Sequence, residues 1–265
     1  MIIDAHCHLG AWSQFHVPDA SLATILRTMD QLGIERAIAA PLASLISRAE
    51  LGLREGLAAH RESRGRILLY TVFDPRWPDS LEFVRRSLEE PAVVGIKIHP
   101  AMHQCAADDD CWRGVWELAA ESGLPILTHS WCVSDYNPVQ KYAQPILFAR
   151  YVREFPQVPL ILGHAGGRYE GHLAAAALAR AYDNVYLDLA GDSYSLGLKS
   201  NGSVVAWGRN NFGQLGDATT TLRISPVPVH GLTEVASVAA AWCHSLALRR
   251  DVTVRAWGSN GLGRL

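Results

Sequence analysis

The arrangement of apolar residues changes period near residue 191, and this change constrains the fold more than any other feature. Up to Gly191, short apolar strands alternate with amphipathic helical stretches. Several strands lack polar alternation, as expected for parallel strands covered by helices. Seven strands are predicted, at Ile2–His6, Arg36–Pro41, Ile67–Phe73, Val93–His99, Pro125–His129, Pro159–His164 and Val185–Leu189. The alternation favours an incomplete (β/α)8 TIM barrel, because no eighth strand is recognisable before it ends.

The predicted helices lie between these strands. They are Ala20–Leu32, Ile46–Ser63, Ser80–Glu89, Cys111–Ser122, Gln140–Glu154 and Tyr169–Tyr182. Gly33 and Gly123 are suited to end the helices that precede them. The acidic run Asp108–Asp110 is predicted to cap a helix rather than to bind a metal.

Composition excludes several classes of function. The chain has 265 residues, 49% of them hydrophobic, and a net charge of −2, which indicates neither a nucleic-acid nor a membrane partner. No secretory leader is recognisable, so the predicted location is the cytoplasm. The five cysteines contain no C-x-x-C pair and are predicted to be free thiols. An unclosed barrel gains stability from association, so a homo-oligomer is an open possibility.

Two histidines end the first predicted strand as an H-x-H pair. The alternation of a strand places His6 and His8 on one face and turns Cys7 the other way. Two neighbouring imidazoles are costly to bury unless they share a ligand, and they suit a divalent metal. The pair therefore predicts a metal site at the end of the strand.

Other ionisable residues end the later strands, at the rim where barrel enzymes build their active sites. Lys97 and His99 end the fourth strand, His129 the fifth and His164 the sixth, so that five of the 11 histidines lie at one rim. Lys97 has three interpretations: it holds a substrate carboxylate, it is carboxylated and bridges two metals, or it forms a structural ion pair. Lys97 and His99 are assigned to substrate binding.

Five segments, in this order, resemble motifs of the amidohydrolase superfamily. They are "IDAHCHLG", "GIKIHP", "PILTHS", "LILGHAGG" and "NVYLDLAG", and they extend over residues 1–191. The similar branch contains hydrolases together with aminocarboxymuconate-semialdehyde and resorcylate decarboxylases. The resemblance implies a zinc-like ion held by His6, His8 and His129, with His164 assisting the water or polarising a small carbonyl or carboxylate substrate.

One element of the family pattern is missing. Family members carry an aspartate at the end of the eighth strand, where it binds the metal and accepts a proton. Asp188 belongs to the motif of the seventh strand, Asp192 comes too early for another strand, and Asp217 belongs to the later repeat. None of the three is assigned to the site, which leaves His164 as the candidate base.

The remainder of the chain contains a repeat. The segment Ser195–Leu215 recurs as Ser245–Leu265, an offset of 50 residues with about half of the positions identical. Alternating strands and glycine-rich turns at this spacing are typical of propeller blades. The segment resembles the repeat of the regulator of chromosome condensation family, which implies partial propeller repeats over residues 192–265 and a possible protein partner.

These sequence features leave three interpretations of the whole chain. The first is a metal-dependent hydrolase or decarboxylase acting on a small molecule, with an appended repeat. The second is a non-catalytic interaction protein that uses the repeat. The third is a misassembled reading frame that joins two incomplete parts.

Overall fold

The computed structural model describes residues 2–11, 19–46, 48–134, 137–167, 169–188, 194–199, 201–240 and 244–260. The chain forms two compact units. The first comprises Met1–Gly166 and Glu170–Asp188, and the second comprises Gly167–Tyr169 and Leu189–Leu265. The boundary predicted after Gly191 falls among residues 189–193, outside the described residues, and stays a prediction.

A parallel sheet of seven strands organises the first unit, and its strands neighbour one another in sequence order. The strands are β1 (Ile3–Leu9), β2 (Arg36–Pro41), β3 (Ile67–Val72), β4 (Val93–Ile98), β5 (Ile126–His129), β6 (Leu160–Gly163) and β7 (Val185–Leu187). The sheet curls into an incomplete TIM barrel, which confirms the predicted fold class. No eighth parallel strand is found among the described residues, and β1 and β7 are the sheet edges.

Helices alternate with these strands. They are α1 (Leu22–Leu32), α2 (Leu42–Leu45), α3 (Ala49–Glu62), α4 (Ser80–Ser87), α5 (Pro100–His103), α6 (Arg113–Ser122), α7 (Ala149–Glu154) and α8 (Tyr169–Ala181). As predicted, Gly33 and Gly123 end α1 and α6 with left-handed backbone angles, φ 66° and 68°. Asp109 accepts a hydrogen bond from the backbone of Cys111, so the acidic run caps the 3₁₀ turn Asp110–Trp112, as predicted.

The predicted helix Gln140–Glu154 is wrong in most of its length. The segment forms two 3₁₀ turns, Pro138–Tyr142 and Pro145–Phe148, before α7 begins at Ala149. Proline has no backbone N–H and disfavours the helical conformation of the residue before it. Pro145 therefore interrupts a helix that the apolar periodicity alone indicates.

Two apolar layers hold the first unit together. Outside the sheet, Trp116 of α6, Phe148 of the 3₁₀ turn before α7 and Tyr151 of α7 pack on β4–β6, and all three are fully buried. Inside the barrel, Tyr70 of β3 is 1% exposed and its hydroxyl donates to the Ala5 carbonyl of β1, at 2.9 Å. The interior is thus a packed core bridged by a side chain, and the rim above it positions the site.

The second unit consists of two antiparallel sheets of three strands each. The first contains β8 (Tyr194–Leu198), β9 (Val204–Gly208) and β10 (Arg223–Pro228), and the second contains β11 (Val235–Ala240), β12 (His244–Arg249) and β13 (Val254–Gly258). The hairpins β8–β9 and β12–β13 carry the two copies of the repeat, β10 and β11 complete the two sheets, and the shared core includes Tyr194, Val204 and Ala247. The all-β repeat segment predicted from the sequence is confirmed.

The cysteines differ from the prediction. Cys105 and Cys111 form a disulfide, so the expectation of free thiols is wrong for this pair. Their short separation brings the sulfur atoms together around the capped turn. Cys7 and Cys132 are free, as expected, and Cys243 lies outside the described residues.

No helix of the described part of the chain has the length and apolar character needed to cross a membrane.

Candidate metal centre

The two histidines of β1 lie side by side at the barrel rim, with ring centroids 5.3 Å apart. His8 Nδ1 lies 3.2 Å from the carbonyl oxygen of Ala40 in β2, and because a carbonyl only accepts, Nδ1 is the donor. In a neutral His8 ring the lone pair is therefore on Nε2. The H-x-H motif thus presents an imidazole with its distal nitrogen in the form that binds metals.

Asp188 follows β7 directly, and its carboxylate joins two of the site's elements. Oδ2 lies 2.5 Å from His6 Nδ1 and accepts a hydrogen bond from the backbone N–H of His164, at 3.2 Å. The backbone N–H of Asp188 continues the ladder to Leu162. The curl of the sheet therefore brings the end of β7 against β1.

Asp188 is the residue that the sequence analysis missed. The family pattern places the catalytic aspartate after an eighth strand, whereas Asp188 lies in the motif of the seventh strand. Its position in the sequence could have indicated a role in the site, because Asp188 directly follows a strand at the same rim as the histidines.

Lys97 lies on the other side of His6. Its side chain is buried, and Nζ is 3.2 Å from His6 Nε2. Because His6 Nδ1 donates to a carboxylate, the Nε2 of a neutral ring carries the lone pair and accepts from the Lys97 ammonium. The predicted metal ligand and the predicted substrate-binding lysine are thus in direct contact.

His99 and His129 are stacked against each other, with centroids 4.3 Å apart and planes at 10°. His99 Nδ1 accepts from the backbone N–H of Met102 and so caps α5. His129 Nε2 donates to Gln140 Oε1 at 3.0 Å, and Trp131 stacks on the outer face of His129. One nitrogen of each ring is thus occupied by structural hydrogen bonding.

His164 is held in an unusual backbone conformation. Its φ is 62°, and Ala165 and Gly166 follow with φ of 44° and 85°. Positive φ costs free energy at a residue with a Cβ, and such residues cluster at functional sites. Here the conformation places the His164 ring 5.1 Å from the rings of both His6 and His129.

Burial keeps the imidazoles neutral. Burial, together with the charge of Lys97, lowers the pKa of His6 to about 4. Burial and the neighbouring His6 lower the pKa of His8 to about 3. Burial also holds the pKa values of His99 and His129 well below the usual range. Neutral imidazoles are the form that coordinates metals.

The pKa values of Lys97 and Asp188 are both lowered, which disfavours the charged form of the lysine and favours that of the aspartate. Burial lowers the pKa of Lys97 to about 7, although the charge of Asp188 opposes the shift. Burial acts to raise the pKa of Asp188, but the hydrogen bond from His6 outweighs it and keeps this pKa below its ordinary value. An ionised carboxylate therefore contacts the neutral imidazole of His6.

This donor set fits a divalent metal ion. One ligand atom from each of His6, His164 and Asp188 lies within 4.8 Å of the other two. Imidazole nitrogens with one carboxylate suit Zn²⁺ and related ions. The lone pair of His6 Nε2 already faces a cation, the Lys97 ammonium. The assignment of His6, His8 and His129 as the metal ligands stays a prediction.

A cavity of about 700 Å³ opens beyond the ends of β2 and β3. It is lined by Ser44, Arg48, Ala49, Glu50, Leu51, Val72, Asp74, Arg76, Trp77 and Pro78. Arg76 donates two hydrogen bonds to Asp74, at 2.9 and 2.7 Å. The volume suits a small molecule, and its lining combines apolar walls with charges of both signs.

The fold and the rim histidines define an incomplete TIM barrel with a candidate metal centre. Residues 3–207 match the family model described as "Amidohydrolase". The chain belongs to the amidohydrolase family. Residues 201–248 match a second model, the Regulator of chromosome condensation (RCC1) repeat, as the resemblance of the C-terminal segment implied.

Solved structures show the same barrel. An uncharacterized TIM-barrel protein from Bordetella bronchiseptica superposes with a TM-score of 0.55 at 15% identity, over 70% of this chain and 74% of that chain. A structure titled as an amidohydrolase II gives a TM-score of 0.53 at 16% identity, over 72% of this chain and 79% of that one. At such identities the similarity concerns the fold alone.

Two similar curated proteins match a smaller part of the chain. The chain is 33% identical to the ultraviolet-B receptor UVR8 of Arabidopsis thaliana over 107 residues, which is 39% of this chain and 24% of that protein. It is 42% identical to the Protein RCC2 homolog of Danio rerio over 76 residues, 28% of this chain and 15% of that protein. The chain therefore spans a quarter or less of these relatives.

Proposed function

We propose that the barrel unit binds a divalent metal ion, in the first instance Zn²⁺, and hydrolyses a small substrate that carries a carbonyl or carboxylate group. The observation that carries this proposal is the convergence of His6, His164 and Asp188 at the barrel rim. Membership of the amidohydrolase family supports the same class of reaction. The buried cation Lys97 favours an anionic substrate, and a carboxylate substrate makes decarboxylation the alternative reaction of this centre.

Two sets of metal ligands are compatible with this proposal. The motifs favour His6, His8 and His129, and the spacing of ligand atoms favours His6, His164 and Asp188. In the first set Asp188 orients His6 through Nδ1, an arrangement that is common around histidine ligands. In the second set Asp188 is itself a ligand. His6 belongs to both sets, which makes it the first residue to test.

The chain's own residues have distinct roles in this proposal. A divalent ion held at the barrel rim would polarise a substrate oxygen and would lower the pKa of a bound water molecule. Asp188 fixes the tautomer of His6, and His164 is placed to accept a proton or to polarise the substrate. Lys97 provides a positive charge against a substrate anion. Trp131 forms an apolar wall beside His129 and His164.

The experiment is metal analysis of the purified full chain. The wild-type protein, depleted with a chelator and titrated with Zn²⁺, is expected to bind the ion with a stoichiometry near one. His6→Ala is expected to lose this binding. His230→Ala is the matched control, because this histidine is exposed in the repeat unit and should bind as wild type does.

Activity is the second readout. Metal-loaded wild-type protein is expected to turn over at least one member of a panel of amides, esters, lactones and aromatic carboxylates, and the His6→Ala protein is not. Wild-type protein that takes up no Zn²⁺ and turns over no member of the panel contradicts the proposal. Equal uptake by wild type and His6→Ala contradicts the position of the centre.

A protein partner for the repeat segment remains a second proposal. It is supported by the match to the RCC1 repeat and by the apolar residues exposed on β12 and β13. Sedimentation of the purified chain measures whether such a surface is used between copies of this chain.

A further inference from the structure

The hairpins β8–β9 and β12–β13 carry the two copies of the repeat, and their equivalent faces differ in burial. The 50-residue offset relates Leu196 and Leu198 of β8 to Leu246 and Leu248 of β12. It also relates Val204 and Ala206 of β9 to Val254 and Ala256 of β13. We call these four residues of the second sheet, Leu246, Leu248, Val254 and Ala256, the open face.

In the first sheet this face is covered. Val204 is 1% exposed and Ala206 is fully buried. They pack in one cluster with Val235 and Ala247 of the second sheet. The contact is also polar, because the Tyr194 hydroxyl bonds to the carbonyl oxygen of His244 and to Ser245 Oγ. The molecule itself thus shows what this face binds, namely the opposite face of another repeat sheet.

The covering surface has a definite composition. In the second sheet it contains Val235 of β11 together with Ser245, Ala247 and Trp257, whose indole N–H donates to the carbonyl of Gln214 at 2.9 Å. The offset assigns Gly197 and Trp207 of the first sheet to the positions of Ala247 and Trp257. Gly197 pairs with Val205 across β8 and β9, and both residues are partly exposed. We call Gly197, Val205 and Trp207 the covering face of the first sheet.

The open face is exposed in the second sheet. Val254 is 62% exposed, Leu246 is 37% exposed and Leu248 is 39% exposed. The strand register places Leu246 opposite Ala256 and Leu248 opposite Val254, so the four side chains form one contiguous patch. A contiguous exposed apolar patch promotes association with another surface.

We propose that the open face binds the covering face of a second copy of this chain, so that the repeat units associate head to tail. The partner's Gly197, Val205 and Trp207 would take the place that Ala247 and Trp257 occupy against the first sheet. Because the two faces differ, the contact is heterologous and leaves a second open face on the partner. Association therefore extends beyond two copies. The proposal is independent of the metal centre.

The test combines one variant in each face. Sedimentation equilibrium of the wild-type chain at about 100 µM, where a micromolar interface is mostly occupied, is expected to give an average mass that rises with concentration. Val254→Glu, in the open face, should abolish the rise. Ile146→Glu is the matched control, because Ile146 of the barrel unit is also 62% exposed and lies outside both faces.

Mixing distinguishes a head-to-tail contact from a symmetric one. Val205→Glu, in the covering face, should also be monomeric. An equimolar mixture of Val205→Glu and Val254→Glu should form a dimer and no larger species, since each protein retains one intact face. Circular dichroism establishes that both variants are folded. A monomeric wild type, an associating Val254→Glu, or a mixture that remains monomeric overturns the proposal.

Discussion

Asp188 connects the ends of three strands at the candidate centre. Its carboxylate accepts from His6 Nδ1 and from the backbone of His164, and these contacts tie β7 to β1 and β6. The rim histidines and Lys97 could be predicted from the sequence because they end predicted strands. Asp188 also follows a strand at this rim, but its contact with His6 could not be predicted, since that contact depends on how far the sheet curls. That curvature is a property of the packed barrel and not of the local sequence.

At the scale of this residue we expect Asp188→Asn to weaken Zn²⁺ binding by about 10–100-fold, the usual effect of losing a partner that orients a histidine ligand. The amide retains the size of the side chain but no longer fixes the His6 tautomer or supplies a negative charge. A competition titration with a zinc chelator measures the affinity. Asp183→Asn, at an exposed aspartate, is the control. An unchanged affinity in Asp188→Asn would show that this carboxylate plays no part in binding.

A second residue-scale prediction concerns Asp217 of the repeat unit. Its buried carboxylate accepts from Asn210 Nδ2, Thr219 Oγ1 and Arg223 Nε, at 2.9, 2.8 and 2.6 Å. We expect Asp217→Asn to lower the free energy of unfolding by about 2 kcal/mol, because it leaves charged and polar donors without their acceptor. Urea unfolding followed by tryptophan fluorescence measures the change. Asp251→Asn, in an exposed turn, should change much less.

The same network predicts a dependence on pH. Burial acts to raise the pKa of Asp217, but the hydrogen bonds from Thr219, Arg223 and Asn210 outweigh it and lower this pKa from 3.8 to about 2. Because the pKa of Asp217 is lower in the folded protein, its ionised carboxylate stabilises the fold at pH values above 3.8. This contribution disappears as the pH falls from 3.8 to about 2. The difference between wild type and Asp217→Asn should therefore shrink over that interval. A difference that stays constant down to pH 2 would contradict this origin.

At the scale of elements, the observed bounds of the barrel strands agree with the predicted bounds more closely than those of the helices do. β2 has its predicted bounds, and the other six strands shift by one to three residues at their ends. Apolar runs between turn signals specify strands locally. The helix predicted over Gln140–Glu154 failed because Pro145 outweighs the apolar periodicity. The bridge from Tyr70 to Ala5 was not predictable, since it joins strands that are not neighbours in the sheet.

This bridge gives a prediction for the barrel interior. We expect Tyr70→Phe to lower the free energy of unfolding by about 1 kcal/mol, because the Ala5 carbonyl loses a buried hydrogen bond while the packing is retained. Chemical denaturation of the full chain measures it. Tyr186→Phe is the control, since this tyrosine is 54% exposed on the edge strand β7. Equal effects of the two substitutions would mean that the bridge contributes nothing.

At the scale of the whole molecule, the described residues form an incomplete barrel of seven parallel strands, with β1 and β7 as its edges. Ile3 on β1 is 46% exposed and Tyr186 on β7 is 54% exposed, whereas Ile67, Ile96 and Ile126 of the inner strands are fully buried. An unclosed parallel sheet was predictable because the alternation of strands and helices stops at seven strands. The approach of β1 to β7 could not be predicted from the sequence, because it depends on the contact between His6 and Asp188.

Hydrogen exchange tests this picture of an open barrel. Amides of β1 and β7 are expected to exchange by local opening with a low free energy, and amides of β3–β5 only with unfolding of the unit. Mass spectrometry of peptides from each strand provides the comparison. Uniform protection across all seven strands would mean that the edges are covered in solution.

The most direct test of the metal centre is anomalous X-ray diffraction from crystals of the full chain grown with Zn²⁺. We predict one strong anomalous peak at the barrel rim, about 2.0–2.1 Å from a nitrogen of His6, the usual distance for zinc and histidine. A second cluster of potential ligands, Cys105, Asp109 and Cys111, lies elsewhere in the same unit and is joined by a disulfide. A peak at that cluster with none beside His6, or no peak in the barrel unit, would contradict the proposed centre.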